Sequence, residues 1–393
     1  MWNKLKSAPL YPLANRGLTL IMRIVLIKSE LYRTGGLEKY TWQLARDFCS
    51  LGCQVTLLTT GSITPPFEHP ELEICSFPIS YPLSVLNVLH FDRAVTTYLS
   101  QHHFPIIFSL DRTRYQTHIR AGNGVHARYL QQRIQEEGFG KRISFSLNPL
   151  HRTILSLEKR GFEHPELQLL FTNSQMVKRE LLTHYDLRPE KIQVIHNGVE
   201  WHHFQSAFDS WEEVKQPSSF QLLFVGHNYK RKGLDKLLRA LSLLRSRDFQ
   251  LHVIGKDKNI PYYRHLAATL QLEKKVNFVG PTADILPYYQ RADALVIPST
   301  YDPFANVTVE ALAMGLFVVS STTNGGHEVL TPESGTIIED LNCPDSCVNA
   351  LEQAFSRPKT PSQALAIRSA VRHLDFSSQL RLMTQATLKG HLS

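Results

Sequence analysis

From Met22 onward the chain alternates short β-branched runs with helix-length amphipathic stretches, and that rhythm restricts it to parallel sheets flanked by helices. Residues 24–27, 55–59, 105–109 and 169–172 read as buried strands. Between the first two, 37–50 reads as a helix, because Leu37, Tyr40, Leu44 and Phe48 recur at helical spacing and Gly52 closes it. A polar stretch at 208–219 follows. The pattern then restarts with runs at 220–225, 251–254, 276–279, 294–297 and 316–320. Two doubly wound α/β halves result, and 393 residues suit two domains of comparable size better than one core. Ligands of such sheets sit beyond the carboxyl ends of the strands, so the loops there, and the cleft between the halves, are where chemistry is expected.

The remaining composition excludes other classes. With 42% hydrophobic and 20% charged residues the chain is neither disordered, collagenous nor a coiled coil. Cys49, Cys53, Cys75, Cys343 and Cys347 form neither a disulfide framework nor a zinc spacing, which points to a reducing, cytoplasmic setting. No run approaches the roughly 18 apolar residues of a membrane span. Residues 1–21 lack a secretory signal's apolar core and are expected to be a disordered extension, or upstream sequence translated from an early start.

The formal net charge is +8, and most of it lies between Asp111 and Arg160, where ten basic side chains face four acidic ones. Such a stretch either attracts phosphates, anionic lipids or nucleic acid, or is a solvated helical face.

Three loops carry candidate chemistry. The first strand runs into Gly35-Gly36 at a helix start, where backbone N–H groups and the helix dipole can cradle a phosphate; it is not the GxGxxG of dinucleotide folds. The second half opens with a strand, Gly226, His227 and then Lys230-Arg231-Lys232-Gly233 before a helix at 234–244. Three cations at a helix start oppose the dipole, and an anion such as a pyrophosphate would answer them. Farther on, Asp302 precedes Phe304-Ala305-Asn306. Asn306 is the expected N-cap and Glu310 falls in the first turns. Acids so spaced can reach two ends of one ligand, a carboxylate accepting from ribose hydroxyls and helix-start N–H groups serving sugar oxygens.

Taken in order, Gly35-Gly36-Leu37-Glu38, the string from Ile192 through His196-Asn197-Gly198 to Glu200, Arg231-Lys232-Gly233, and Asp302-x7-Glu310 followed by Ala311-Leu312-Ala313-Met314-Gly315 resemble the retaining nucleotide-sugar glycosyltransferases of family 4. Within them the chain is similar to the lipopolysaccharide core glucosyltransferase I branch, and the resemblance runs from about Met22 to the C-terminus. It implies a GT-B fold: a Rossmann-like, acceptor-side domain over 22–205, a Rossmann-like, donor-nucleotide domain over 206–371, and a last segment near 372–393 packing back on the first. It further implies transfer of a hexose, glucose in that branch, from a nucleoside diphosphate sugar such as UDP-glucose to a glycan or glycolipid hydroxyl, with retention, without a metal or other cofactor and without a carboxylate nucleophile.

Residue by residue, the resemblance places Glu310 on the donor ribose and Asp302, where relatives usually carry Glu, near the transferred sugar. Arg231 and Lys232 match the cations on the diphosphate, with His227 where an Arg often follows the strand glycine. Gly35 and Gly36 face the diphosphate, and the N–H groups of Phe304, Ala305 and Asn306 face the sugar. A histidine near the reacting carbon is expected from His126 or His118, within or beside Arg120-Ala121-Gly122-Asn123-Gly124-Val125-His126. Asp111, His118 and Asn123 are candidates for the acceptor, pairing with Arg112 or Arg114 being the other reading of Asp111. The basic stretch favours an anionic, lipid-linked acceptor at the inner membrane face. A non-catalytic sugar-nucleotide binding protein is the rival; a nucleic-acid-binding protein would need a recognition helix or interleaved aromatics that the sequence lacks.

Overall fold

The structure is a computed structural model that describes residues 21–31, 36–61, 63–214 and 217–389. Residues 1–20 of the expected extension, and Gly35, lie outside them.

The first lobe contains strands β1 (Arg23–Ile27), β2 (Gln54–Thr60), β3 (Leu72–Phe77), β4 (Ile106–Ser109), β5 (His118–Arg120), β6 (Leu169–Thr172) and β7 (Ile192–Val194). Its helices are α1 (Gly36–Ser50), α2 (Ser84–Gln101), α3 (His126–Glu137), α4 (Phe139–Leu147), α5 (Pro149–Phe162) and α6 (Gln175–His184). The second lobe holds α7 (Trp201–Asp209), β8 (Phe220–Val225), α8 (Leu234–Leu243), β9 (Phe249–Ile254), α9 (Ile260–Thr269), β10 (Val276–Gly280), α10 (Leu286–Arg291), β11 (Ala294–Ile297), α11 (Asn306–Ala313), β12 (Phe317–Ser321) and β13 (Gly335–Ile338). The helices α12 (Pro344–Phe355), α13 (Pro361–Ala370) and α14 (Phe376–Leu388) complete the chain.

Both sheets are parallel among the described residues, ordered β3-β2-β1-β4-β5-β6-β7 and β10-β9-β8-β11-β12-β13. The strand order of each reverses once, between β1 and β4 and between β8 and β11, which is where a doubly wound sheet opens a crevice. Four of these strands carry no apolar run of their own. β5 and β7 are three residues long with His118, Arg120 and Gln193 in them, β3 is a half-exposed edge, and β13 begins on glycine. Pairing in register with β2, β4, β6 and β12 supplies what their composition does not.

Helix α1 matches its periodicity: Leu44 and Phe48 are fully buried, each contributing about 1.5–3 kcal/mol. Helix α14 packs back on the first lobe, with Leu380, Met383 and Leu388 in the core that holds Leu44 and Phe48. The two interlobe crossings run side by side: Val199 N donates to Leu374 O at 2.9 Å and Phe376 N to Val199 O at 3.0 Å. Gly198 is required at that crossing, because a Cβ there would stand 2.7 Å from the Phe376 backbone. The expected boundary at 205/206 falls inside α7, whose Trp201, Phe204 and Ala207 pack in the second lobe's core.

Candidate functional site

A cleft of about 770 Å³ lies between the lobes. The first lobe contributes Tyr40, Arg112, Arg120, Asn123 and His126 to it, and the second contributes His227, Arg231, Asp302, Phe304 and Asn306. His196, Asn197 and Gly198 line its hinge, and Phe376 and Gln379 arrive from α14.

At the second lobe's switch point the loops after β8 and β11 meet. Gly233 ends the first loop with φ +79°, and a Cβ there would be 1.9 Å from Pro298 O, so only glycine lets the two loops touch. Lys232 Nζ then reaches Asp302 Oδ2 at 2.7 Å, and Arg231 Nη1 reaches the same oxygen at 3.0 Å. Burial pushes the Asp302 carboxyl up, but the charges of Lys232 and Arg231 outweigh it and hold it below the ordinary range. Asp302, rather than a bound ligand, is thus the anion that answers the cations at the start of α8. Lys232 is almost completely enclosed, whereas the Arg231 side chain keeps a third of its surface open and lines the cleft.

Ala305, not Asn306, occupies the N-cap, and no side chain caps the helix there. The N–H groups expected to face a sugar are partly used: Phe304 N donates to Asp302 Oδ1 at 3.2 Å and Ala305 N to Asn324 Oδ1 at 3.1 Å. Asn306 faces the hinge instead, its Oδ1 accepting from Asn197 Nδ2 at 2.7 Å. Glu310 does not line the cleft. Its Oε2 accepts from the buried Tyr289 hydroxyl at 2.8 Å, and burial raises its carboxyl above the ordinary value.

In the first lobe, His126 does reach the cleft, at the start of α3. Its backbone N–H is held by Glu158, and its Nε2 lies 3.1 Å from His151 Nδ1. Burial, then Arg112, then His151 push it down to about 3, so the ring is neutral near pH 7. His118 is corrected to a core residue: it is 2% exposed, stacks on Phe108 at 6.2 Å and meets Thr117 Oγ1 at 2.9 Å. Asp111 stands just beyond the carboxyl end of β4, but the lobe uses it internally. It accepts from Lys28 Nζ at 2.9 Å and from Ser29 N at 2.6 Å, not from Arg112 or Arg114, and it does not line the cleft. Those arginines pair with Glu158 and Asp92. Asn123 is exposed on the cleft wall. Gly36 opens α1.

Several lining residues carried no signal of their own. Arg120 and Asn197 sit within the strings Arg120–His126 and Ile192–Glu200, whereas Gln379 reaches the site only because α14 folds back. His227 Nδ1 accepts from Lys256 N at 3.0 Å, which leaves the ring's proton on Nε2. Side chains also join the lobes: Ser174 Oγ donates to Pro303 O at 2.9 Å, and Glu328 accepts from the N–H groups of Gln175 and Met176 at 2.7 Å each. Among the described residues no group of three or more His, Cys, Asp or Glu is placed to hold a metal ion, and no helix is long and apolar enough to cross a membrane.

Chemically, the cleft combines a buried carboxylate fixed by two cations, a neutral imidazole and a guanidinium wall on the facing lobe. Two family models match the chain, one described as Glycosyltransferase Family 4 over residues 34–201 and one as Glycosyl transferases group 1 over residues 219–357. An uncharacterized glycosyltransferase of Methanocaldococcus jannaschii is 31% identical over 198 residues, 48% of this chain and 50% of that protein, so the match spans half of that relative's length. A D-inositol 3-phosphate glycosyltransferase of Pseudarthrobacter chlorophenolicus is 25% identical over 378 residues, covering 85% of this chain and 86% of that one. The lipopolysaccharide glucosyltransferase WaaG of Escherichia coli is 25% identical over 240 residues, 58% of this chain and 63% of its own. A crystal structure of WaaG superposes with TM-score 0.71 at 20% identity, covering 93% of this chain and 99% of that one.

Proposed function

The chain belongs to the family 4 glycosyltransferases and has their two-lobed GT-B fold, and from that premise we propose that it moves a hexose from a nucleoside diphosphate sugar to a hydroxyl of a glycan or glycolipid, with retention at the anomeric carbon. Glucose from UDP-glucose is the proposed donor, and a lipopolysaccharide-type core the proposed acceptor, in line with the name of the matching glucosyltransferase. The observation that carries this reading is the Asp302 carboxylate held by Lys232 and Arg231 on the second lobe's side of the cleft.

In this reading the departing diphosphate draws Arg231 off Asp302. The carboxylate, still held by Lys232, positions the sugar's hydroxyls. Both cations then lie beside the charge that builds up as the glycosidic bond breaks, so their fields act more strongly on the transition state than on the ground state. The proposed leaving phosphate takes the acceptor's proton on the same face. His126, neutral, serves as a hydrogen-bonding group at the reacting carbon rather than as an acid. Glu310 holds the ribose once donor binding displaces Tyr289 from it.

A panel of nucleotide sugars tests the reading through thermal stabilisation, a ligand at about 100 times its Kd contributing roughly 2.7 kcal/mol. The double variant R231A/K232A should fold, lose that stabilisation and lose transfer. Undiminished turnover in it would overturn the assigned roles. A sugar-nucleotide binding protein without activity is the outcome if donors stabilise the fold while neither transfer nor donor hydrolysis follows.

The acceptor is proposed to be anionic and presented at a membrane surface. Helix α4 supports this, with Ile143 54% exposed and Leu147 72% exposed beside Arg142, and α5 adds Arg152, Lys159 and Arg160. Flotation with vesicles containing anionic lipid, against vesicles of neutral lipid, checks it.

A further inference from the structure

Among the described residues three arginines line the cleft, and two of them meet a carboxylate: Arg112 on Glu158 and Arg231 on Asp302. Arg120, at the end of β5, meets none among the described residues. Its partners are neutral. Its Nη2 donates to Asn197 Oδ1 at 2.9 Å, and its guanidinium lies 4.1 Å over the ring of Tyr40, a phenol that burial keeps protonated.

This placement is built rather than incidental. Asn197 is itself held by Asn306, so the acceptor of the Arg120 bond is fixed from the second lobe. Gly122 makes the space, since a Cβ there would stand 2.1 Å from Arg120 Nη1. A half-buried guanidinium gains little from an amide oxygen and a ring face compared with an oxyanion, whose charge-assisted bonds are about twice as strong and which the planar fork fits two atoms at a time. Its position is already settled, so little side-chain freedom is lost on binding.

We propose that Arg120 is an oxyanion-holding residue, binding a phosphate-type group of a ligand in the cleft from the first lobe's wall. The proposal rests on the glycosyltransfer reading, in which two such groups enter the cleft: the donor's diphosphate and an anionic substituent of the acceptor. One guanidinium can serve either, and the chemistry it recognises is the same.

Calorimetric titration separates them, using inorganic pyrophosphate and UDP on the free protein and inorganic phosphate on the UDP-saturated protein, with wild type, R120Q, R120K and G122A. R120Q should weaken pyrophosphate, or phosphate on the UDP complex, roughly ten- to a hundredfold, the range of a lost charged hydrogen bond. A loss on pyrophosphate and UDP assigns the donor's phosphates; a loss only in the UDP-saturated arm assigns the acceptor's. R120K should recover part of the affinity, having the charge without the fork. G122A keeps the guanidinium but displaces it, and should match R120Q even if R120Q folds poorly. Unchanged affinities in folded R120Q or G122A overturn the assignment, as does a wild type that binds neither pyrophosphate nor phosphate. A wild type that binds pyrophosphate through Arg120 but not UDP instead defeats the glycosyltransfer reading alone.

Discussion

The phenol of Tyr301 donates to the carboxylate of Glu180 at 2.9 Å, although the two residues belong to different lobes. Tyr301 is 4% exposed and packs with Ile119, Val125 and Met176 in the first lobe's core, while its neighbour Asp302 carries the two cations of the second. The position of one lobe is thereby tied to the Asp302 loop of the other through a single peptide step. Y301F should loosen that coupling. One charge-assisted hydrogen bond, about 1.5–3 kcal/mol, is lost from stability, and transfer should fall through kcat with donor affinity nearly unchanged. Denaturant melts and steady-state kinetics check it; a fall confined to KM for the donor contradicts it.

Asp302→Asn keeps the shape of the side chain but leaves Lys232 and Arg231 without their carboxylate. Because the folded carboxyl lies below its unfolded value, its stabilisation is complete above the unfolded pKa, near 3.9 for an aspartate, and disappears as pH falls through the folded one. The stability gap between wild type and D302N should therefore be constant from neutral pH down to about 4 and shrink below it. Urea denaturation at a series of acid pH values reads this directly, and a gap that narrows only above pH 6 contradicts it.

Glu310 has the opposite sign. Burial raises its folded pKa, so its ionised form opposes folding above that value and the penalty is relieved as pH falls. E310Q retains an oxygen for the Tyr289 hydroxyl and removes the charge. It should be at least as stable as wild type at pH 7 while binding nucleotide sugar at least tenfold more weakly, a trade of function for stability. A destabilised E310Q with full donor affinity is the contrary result.

His126 should contribute no ionisation to the pH–rate profile between pH 5 and 8, since it is pushed down to about 3 and stays neutral throughout. H126N should lower kcat without moving either limb of the profile. Disappearance of a limb near pH 6 in H126N would show that the imidazole titrates in the working enzyme.

Gly198→Ala places a methyl group 2.7 Å from the backbone of Phe376, where the interlobe crossings run side by side. Neither backbone can yield without breaking the bonds between Val199, Leu374 and Phe376, so a loss of 2 kcal/mol or more, about the upper range for single substitutions, is expected in thermal melts.

Local pattern determined much of this protein before any folding. The alternation of apolar runs with helix-length segments specifies two parallel-sheet lobes, because strands buried on both faces must be apolar throughout and helices must cover them. The loops that carry Arg231, Lys232 and Asp302 were legible for the same reason, since they follow the two strands of a switch point. What only the tertiary structure decided is who meets whom. Glu310 and Asp302 sit eight residues apart on one loop and helix, yet one faces Tyr289 and the other two cations, because their surroundings come from α10 and the loop after β8. His118 and His126 are equally plausible in sequence; a three-residue strand buries one against Phe108, and a helix start turns the other to the cleft. Asp111 was claimed by Lys28, and Arg120 was left without a counter-charge among the described residues, by contacts spanning some eighty residues of chain. Pair energies depend on distance and burial in space, and linear spacing beyond one turn or one hairpin carries no record of either.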